Sequence, residues 1–331
     1  MEALVVFFTL ICILAGLLIV CRPLIKWLLD QNKGINKQME LAEKYHKTAL
    51  WKELAKLIGN SITDKNLNFE AIGDRFDSYE EISKAIKNAG LQSCGLVIGI
   101  DFTASNEWQG RKTFEHKSLH HLYKNSKRLN PYQRVITAMG ETLSSFDSDN
   151  LIPAFGFGDK ITKDLSVFPL DEDGMPCKGF EGVLSLYNEV VQRVELSGPT
   201  SFAPIIRKAI EITRQNMEYH ILLVIADGQV IDKQDMETRE AIVEASTYPL
   251  SIVVVGVGDG PWDQMAEYDE KLPKRKFDNF QFVDYHRVTK KAKNPGIAFA
   301  LNALMEIPDQ YTAIKSAGLL RESTQNASNK Y

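Results

Sequence analysis

The sequence predicts an α/β domain, a doubly wound and mostly parallel sheet flanked by helices, preceded by one N-terminal transmembrane helix. Three observations lead to this prediction. Several strand candidates are nearly unbroken apolar runs, as expected for parallel strands that are covered on both faces. These strands alternate with helical patterns, which is typical of α/β folds. An uncharged apolar stretch, Ala3–Cys21, stands at the N-terminus.

The N-terminal stretch is long enough to cross a hydrocarbon core of about 30 Å as a helix. It starts with Met-Glu and lacks a small-x-small exit, which favours a retained anchor over a cleaved signal peptide. Glu2 precedes the stretch, and basic residues follow it at Arg22, Lys26, Lys33 and Lys37. This asymmetry predicts a single-pass membrane protein whose long C-terminal part faces the cytosol.

The remaining chain divides by composition and pattern. We expect an anchor at residues 1–21, a helical linker at 22–69, the α/β domain at 70–315 and a disordered polar tail at 316–331. Strands are predicted near residues 95–102, 151–158, 219–228, 250–258 and 280–285. Helical periodicity predicts helices at residues 132–146, 180–194, 203–215, 233–245 and 295–306.

Composition and charge exclude several classes of protein. A hydrophobic content of 44% and a charged content of 25% are those of a globular protein. The net charge of −4 and the lack of a basic patch interleaved with aromatic residues argue against nucleic-acid binding. The four cysteines form no Cys-x-x-Cys pair, so neither a zinc module nor a disulfide framework is indicated.

Oxygen-bearing side chains cluster where predicted strands end. Asp101, Thr103 and Ser105 alternate after the first strand, Thr200 precedes a helix, and Asp227 follows a very apolar strand. In open α/β sheets the carboxyl ends of the strands share one edge, where ligands bind. A set of carboxylates and hydroxyls suits Mg²⁺, with Mn²⁺ and Ca²⁺ as alternatives, rather than zinc.

Each cluster taken singly has a simpler explanation, because Asp, Ser and Thr at strand–helix junctions are commonly caps and turn formers. The three clusters together, each at a strand end or helix start, favour a metal site. A metal-independent structural domain remains the alternative.

An enzymatic site is not expected from these motifs. A magnesium-dependent phosphatase site would want a second Asp where Thr103 stands, together with a lysine near the strand ends. No nucleophile–base pair is recognisable. His120 and His121 have no carboxylate at ligand spacing, and we interpret them as surface or packing residues. The prediction is that the protein is not an enzyme.

The order of these motifs resembles that of a von Willebrand factor A domain of the copine type. The resemblance runs from about Arg75 to Arg287 and is carried by the segments GIDFTASNEW, SLHHLYKNSKRLNPYQRVI, PAFGFGD, SGPTSFAPII and ILLVIADGQV. The segment FDSYEEISKAIKNAGLQS is similar to plant RING-type ubiquitin ligases that share this domain.

The resemblance implies a metal-ion-dependent adhesion site. Asp101, Thr103 and Ser105 match its first element, Thr200 its middle threonine and Asp227 its last aspartate. It implies that Thr103 and Ser105 bind the ion directly and that the other three do so directly or through water. A partner protein would supply an Asp or Glu carboxylate to the last coordination position.

Two features of the family are not expected here. Copines carry two C2 domains before the A domain, and about 70 residues are too few for one. The plant ligases end in a RING module, and no cysteine follows Cys177. The sequence therefore predicts a membrane-anchored, metal-dependent scaffold or adaptor. The alternative is a substrate-recruiting component of ubiquitination that acts with a separate RING ligase.

Overall fold

The computed structural model describes residues 83–84, 87–88, 91–124, 128–144, 146–147, 149–228, 230, 233–270, 272 and 275–320. Its strands are β1 (Gly95–Asp101), β2 (Leu151–Ile152), β3 (Ala154–Phe157), β4 (Phe168–Pro169), β5 (Cys177–Lys178), β6 (His220–Ala226), β7 (Leu250–Gly256) and β8 (Phe280–Asp284). Its α-helices are α1 (Pro131–Leu143), α2 (Gly179–Val190), α3 (Ala203–Asn216), α4 (Lys233–Ala245), α5 (Asp263–Glu270), α6 (Tyr285–Thr289), α7 (Pro295–Leu304) and α8 (Ile307–Ser316).

The main sheet has six strands in the order β4-β3-β1-β6-β7-β8. Its five strands from β3 to β8 pair in parallel, and β4 runs antiparallel to β3 at one edge. The chain passes from β1 to β3 on one side and later returns to β6 on the other side of β1. The strand order therefore reverses at β1, and the predicted mostly parallel α/β fold is confirmed.

Alternate residues of the central strands enter two separate cores. In β6, Ile221, Leu223 and Ile225 pack with α1, α2 and α7, whereas Leu222 and Val224 pack with α3 and α4. Because both faces are covered, the strand is apolar throughout and shows no alternation of polar residues. Burial of each such side chain contributes about 1.5–3 kcal/mol.

The second predicted strand is divided in the structure. Pro153 separates β2 from β3, and β2 pairs with β5 in a separate two-stranded sheet. The C-terminal helices are also more numerous than predicted, since α8 follows α7 directly and continues to Ser316.

The predicted membrane location is corrected here. Within the described residues, no helix is long and apolar enough to cross a membrane. The described helices are amphipathic or short because they cover a sheet. The long apolar runs among the described residues are strands of seven residues, such as β6 and β7. The predicted anchor at residues 1–21 and the predicted linker at 22–69 lie outside the described residues. A single-pass membrane location is not carried further.

Candidate metal centre

The first element of the predicted site lies where β1 ends. Asp101 is fully buried, and its Oδ1 accepts a hydrogen bond of 2.8 Å from the backbone N–H of Thr103. A short 3-10 helix, Ala104–Glu107, then turns the chain. The turn brings the hydroxyls of Thr103 and Ser105 to 2.9 Å from each other. The alternate residues that looked like strand positions thus converge through a turn.

Thr200 reaches the same place from the loop before α3. Its Oγ1 lies 3.4 Å from Oγ1 of Thr103. This loop is fastened to the end of β1, because the N–H of Ala104 donates to the Ser197 carbonyl at 2.6 Å and the N–H of Ser197 donates to the Phe102 carbonyl at 3.3 Å.

Asp227 completes the group at the end of β6. Since β6 pairs directly with β1, its last residues lie beside Asp101. The backbone N–H of Asp227 is 3.5 Å from Oδ2 of Asp101, and both side chains are fully buried. All five predicted ligands are therefore gathered at the edge where the strand order reverses.

Among the described residues, no cationic side chain is paired with either of the two carboxylates. Burial is the main cause that raises the pKa of both Asp101 and Asp227, and the negative charge of Asp101 raises the pKa of Asp227 further. The Ser105 hydroxyl lies close enough to lower the pKa of Asp227, yet neither carboxylate oxygen of Asp227 has a hydrogen-bond partner among the described residues. Two buried carboxylates this close do not both ionise readily unless a cation is bound between them, so the pKa of Asp227 lies well above its usual value in the absence of an ion.

The donor set fits a hard divalent cation. Two carboxylates and three hydroxyls supply only oxygen, which suits Mg²⁺, Mn²⁺ or Ca²⁺. In the described part of the chain no group of three or more His, Cys, Asp or Glu side chains is placed to hold a metal. The candidate centre is of a different kind, since only two of its five oxygen donors are carboxylates.

His120 supports the end of β1 through hydrogen bonds. Its Nε2 lies 2.9 Å from the Asp101 carbonyl oxygen, which only accepts hydrogen bonds, so Nε2 carries the proton. Nδ1 then accepts from the Tyr187 hydroxyl at 2.9 Å. The ring is stacked between Phe102 and Tyr132, and burial lowers its pKa to about 3. His120 is thus a neutral residue that fixes the backbone of a candidate ligand.

Asn106 also stabilises the turn after β1. Its Nδ2 donates to the Thr103 carbonyl at 3.0 Å and to the Asp101 carbonyl at 3.3 Å. Its Oδ1 accepts from the Tyr132 hydroxyl at 2.7 Å. Sequence reasoning missed this role for Asn106, and it assigned His120 only to packing or the surface. Asn106 follows the ligand motif directly, which is the signal that could have drawn attention to it.

Two glycines allow the loops to approach. Gly158, with a φ of +82°, follows β3, and a Cβ there would overlap the Thr103 methyl group. A Cβ on Gly258 would overlap the Asp227 carbonyl. Any larger residue at either place would push on a candidate ligand.

The family follows from sequence comparison. A family model described as Copine matches residues 118–323. The chain belongs to the copine family. The matched range contains Thr200 and Asp227, and the first element at Asp101 precedes it. The copine-type resemblance predicted from the sequence is confirmed.

Two relatives illustrate the extent of the similarity. Copine family protein 2 of Caenorhabditis elegans is 52% identical over 251 residues, which are 75% of this chain and 3% of that protein. E3 ubiquitin-protein ligase RGLG1 of Arabidopsis thaliana is 50% identical over 266 residues, 76% of this chain and 54% of that protein. This copine-family chain therefore spans about half the length of the ligase and a small share of the nematode protein.

Among solved structures, von Willebrand factor type A from Catenulispora acidiphila is 12% identical, with a TM-score of 0.39. The match covers 66% of this chain and 43% of that chain.

The prediction that the protein is not an enzyme is wrong for its family, because a relative at 50% identity is named an E3 ubiquitin-protein ligase. That prediction was based on the lack of a nucleophile–base pair, of the residues of a phosphatase site and of RING cysteines after Cys177. The first two of these criteria detect nucleophilic and hydrolytic sites only.

Proposed function

We propose that this copine-family domain is a metal-dependent protein-binding module. The observation that carries the proposal is the pair of buried carboxylates, Asp101 and Asp227, which lie side by side and have no cationic partner in the part of the chain that the structure describes. Thr103, Ser105 and Thr200 add three hydroxyls at the same place. A divalent cation, Mg²⁺ in the first instance, would offset the repulsion and use all five donors.

The role of the ion would be to recognise a carboxylate. Mg²⁺ demands six ligands and retains waters readily, so one position can be exchanged for an oxygen of a partner protein. An Asp or Glu side chain of the partner supplies that oxygen. The domain then acts as a scaffold or adaptor whose affinity for its partner depends on the ion.

The experiment is a thermal unfolding titration of the full chain with Mg²⁺, Mn²⁺ and Ca²⁺. An ion at 100 times its dissociation constant that binds only the folded state adds about 2.7 kcal/mol to the free energy of unfolding. The combined Asp101→Ala and Asp227→Ala variant should lose this response. Glu141→Ala with Glu189→Ala, which removes two exposed helical carboxylates, should keep it. Equal responses of the wild type and the site variant would overturn the proposal.

A second function is favoured by the name of the Arabidopsis relative. We propose that the domain contributes to ubiquitination by recruiting substrates to a ligase through its binding site. The test supplies ubiquitin, activating and conjugating enzymes, ATP and the full chain, with and without a separate RING ligase. Substrate modification that requires the chain and is lost in the Asp101→Ala/Asp227→Ala variant supports the proposal. Modification that is the same without the chain overturns it.

A further inference from the structure

Exposed apolar side chains gather around the candidate metal centre. Among the described residues, the large hydrophobic side chains with marked exposure are Trp108, Leu151, Ile161, Leu165, Met175 and Met236. Four of these lie at the edge formed by the carboxyl ends of the parallel strands, on the β1 exit, the β3–β4 loop and the first turns of α4. We refer to Trp108, Ile161, Leu165 and Met236 as the docking rim.

The β3–β4 loop holds two members of the docking rim in solvent. Ile161 and Leu165 are 88% and 81% exposed, although the loop itself is well ordered by hydrogen bonds. The buried carboxylate of Asp159 accepts from the N–H groups of Thr162 at 2.9 Å and of Ile161 at 3.2 Å. Leu165 donates its N–H to the Thr162 carbonyl at 3.0 Å. The fold therefore presents these apolar side chains to solvent on a fixed loop.

This loop starts at the candidate centre. Gly158 abuts Thr103, and Asp159 pairs with Leu196 in an isolated bridge. Ser197, the next residue, forms another bridge with Thr103. On its far side the loop is joined to α4, because Nε2 of Gln234 donates to Oδ2 of Asp164 at 2.9 Å. This contact places Leu165 and Met236 on neighbouring segments.

Trp108 lies on the β1 exit, and the segment after it reaches the loop after β7, on the other side of β1 from β3. Its backbone N–H donates to the carbonyl of Ser105, a candidate ligand, at 3.0 Å. The segment after it is held by the Asp259 carboxylate, which accepts from the N–H groups of Lys112 at 2.8 Å and Thr113 at 3.0 Å. The indole is 47% exposed. Apolar side chains thus stand on two separate segments that adjoin the candidate centre.

The exposed charged side chains of the β1 exit and the β3–β4 loop are mainly basic, whereas the carboxylates of Asp159, Asp164 and Asp259 in this region are buried or half-buried and accept hydrogen bonds. The side chains of Arg111, Lys112 and Lys163 are exposed, and none of them forms an ion pair with another described residue. Lys160 is paired with Glu195. Glu107 is the exposed carboxylate beside Trp108. A ligand that covers these segments should therefore be acidic.

We propose that the docking rim binds a short acidic protein segment with bulky apolar side chains on either side of the carboxylate that reaches the ion. The position of that carboxylate rests on the proposed function, whereas the apolar and cationic contacts do not. Tryptophan and arginine, which the β1 exit carries at Trp108 and Arg111, are among the residues that contribute most to the affinity of protein complexes.

The test selects binders from a display library of short random peptides on the full chain in Mg²⁺. We expect the selected peptides to be acidic and to carry large apolar residues. Ile161→Ser with Leu165→Ser should weaken their binding at least tenfold, as should Trp108→Ser. The matched control is Leu151→Ser with Met175→Ser, which exchanges two exposed apolar residues outside the rim and should bind as the wild type does. All of these residues are exposed, so the fold should tolerate the changes.

Several results would overturn the proposal: no enriched peptide, enriched peptides that are neutral or basic, unchanged binding by the rim variant, or binding of anionic lipid vesicles in place of peptides. The Mg²⁺-dependent thermal shift of each variant separates the two proposals. If the thermal shift is present and the rim variants bind the peptides normally, the proposal of the docking rim is overturned and the proposal of the metal site is supported. If the thermal shift is absent and the rim variants lose peptide binding, the proposal of the docking rim is supported and the proposal of the metal site is overturned.

Discussion

Asp101 and Asp227 are ordinary aspartates whose properties come from their position. Asp101 is the last residue of β1 and Asp227 directly follows β6, and the pairing of these two buried strands places both side chains together with no exposed surface. Holding two buried carboxylates side by side lowers the free energy of unfolding of the ion-free domain. We infer that the domain accepts this cost because the same pair attracts a cation.

Asp227→Asn should act in opposite directions with and without the ion. In chelator the variant should be more stable than the wild type, because the charge next to Asp101 is removed. Burial and the charge of Asp101 raise the pKa of Asp227 because its ionised form is unfavourable there, and each kcal/mol that the variant regains should raise the melting temperature by about 2–4 °C. In Mg²⁺ the wild type should gain stability and the variant should not. Thermal unfolding in both conditions measures this. A variant that is less stable in chelator would show that the carboxylates do not repel each other.

His120 shows how one residue can support a site without touching the ligand. Its proton position is set by the Asp101 carbonyl, and its ring is enclosed by aromatic side chains. Since burial holds its pKa near 3, it stays neutral at physiological pH. His120 therefore helps to position the loop and adds no charge to the site.

At the scale of elements, the site depends on how closely two loops approach. The end of β3 passes directly behind Thr103, and only glycine fits at position 158. The positive φ of this residue adds a second reason for glycine.

Gly158→Ala should destabilise the domain and weaken ion binding. Its methyl group would displace Thr103, so we expect a loss of about 2–4 kcal/mol in the free energy of unfolding. Gly174→Ala is the matched control, because Gly174 has a φ of +73° and no atom lies within 4 Å of the place that its Cβ would take. It should cost about 1 kcal/mol from backbone strain alone. Denaturant unfolding and the Mg²⁺ thermal shift measure both effects. Equal losses in the two variants would contradict the expected overlap with Thr103.

At the scale of the whole molecule, the candidate site lies where the strand order reverses. From β1 the chain turns to β3 on one side and to β6 on the other, and such a reversal is where open α/β sheets bind their ligands. The two apolar cores on the faces of the sheet fix the strands, and the loops at their carboxyl ends are free to carry polar and exposed groups.

Stability of the whole domain should fall as pH rises from mildly acid to mildly alkaline values. Burial, with the nearby charges of Asp269, Asp278 and Asp309, raises the pKa of Glu306 from 4.5 to about 8. Between pH 4.5 and about 8 the folded state therefore keeps a proton on Glu306 that the unfolded state has released. Over this range Glu306 lowers the free energy of unfolding by up to about 1.4 kcal/mol for each unit by which the pH rises.

Glu306→Gln should remove this slope and should be more stable than the wild type above pH 8, as measured by denaturant unfolding at several pH values. Glu189→Gln, an exposed helical position, is the control and should leave the slope unchanged. A slope that persists in Glu306→Gln would assign the pH dependence to other groups.

The sequence by itself determined the fold class, the main strands and the set of candidate ligands. Unbroken apolar runs such as residues 221–226 are typical of strands in the middle of a parallel sheet covered on both faces. Polar residues at the ends of such strands must then meet at one edge, which is why Asp101 and Asp227 could be predicted as neighbours.

Only the tertiary structure decided which residues support that edge. The contact of His120 with the Asp101 carbonyl spans 19 positions, and the contact of Gly158 with Thr103 joins two different loops. Local patterns carry no information on such contacts, because they depend on how elements distant in sequence pack together. The exposure of Ile161 and Leu165 is of the same kind, since an apolar residue in a loop is buried or exposed according to what the rest of the chain places over it.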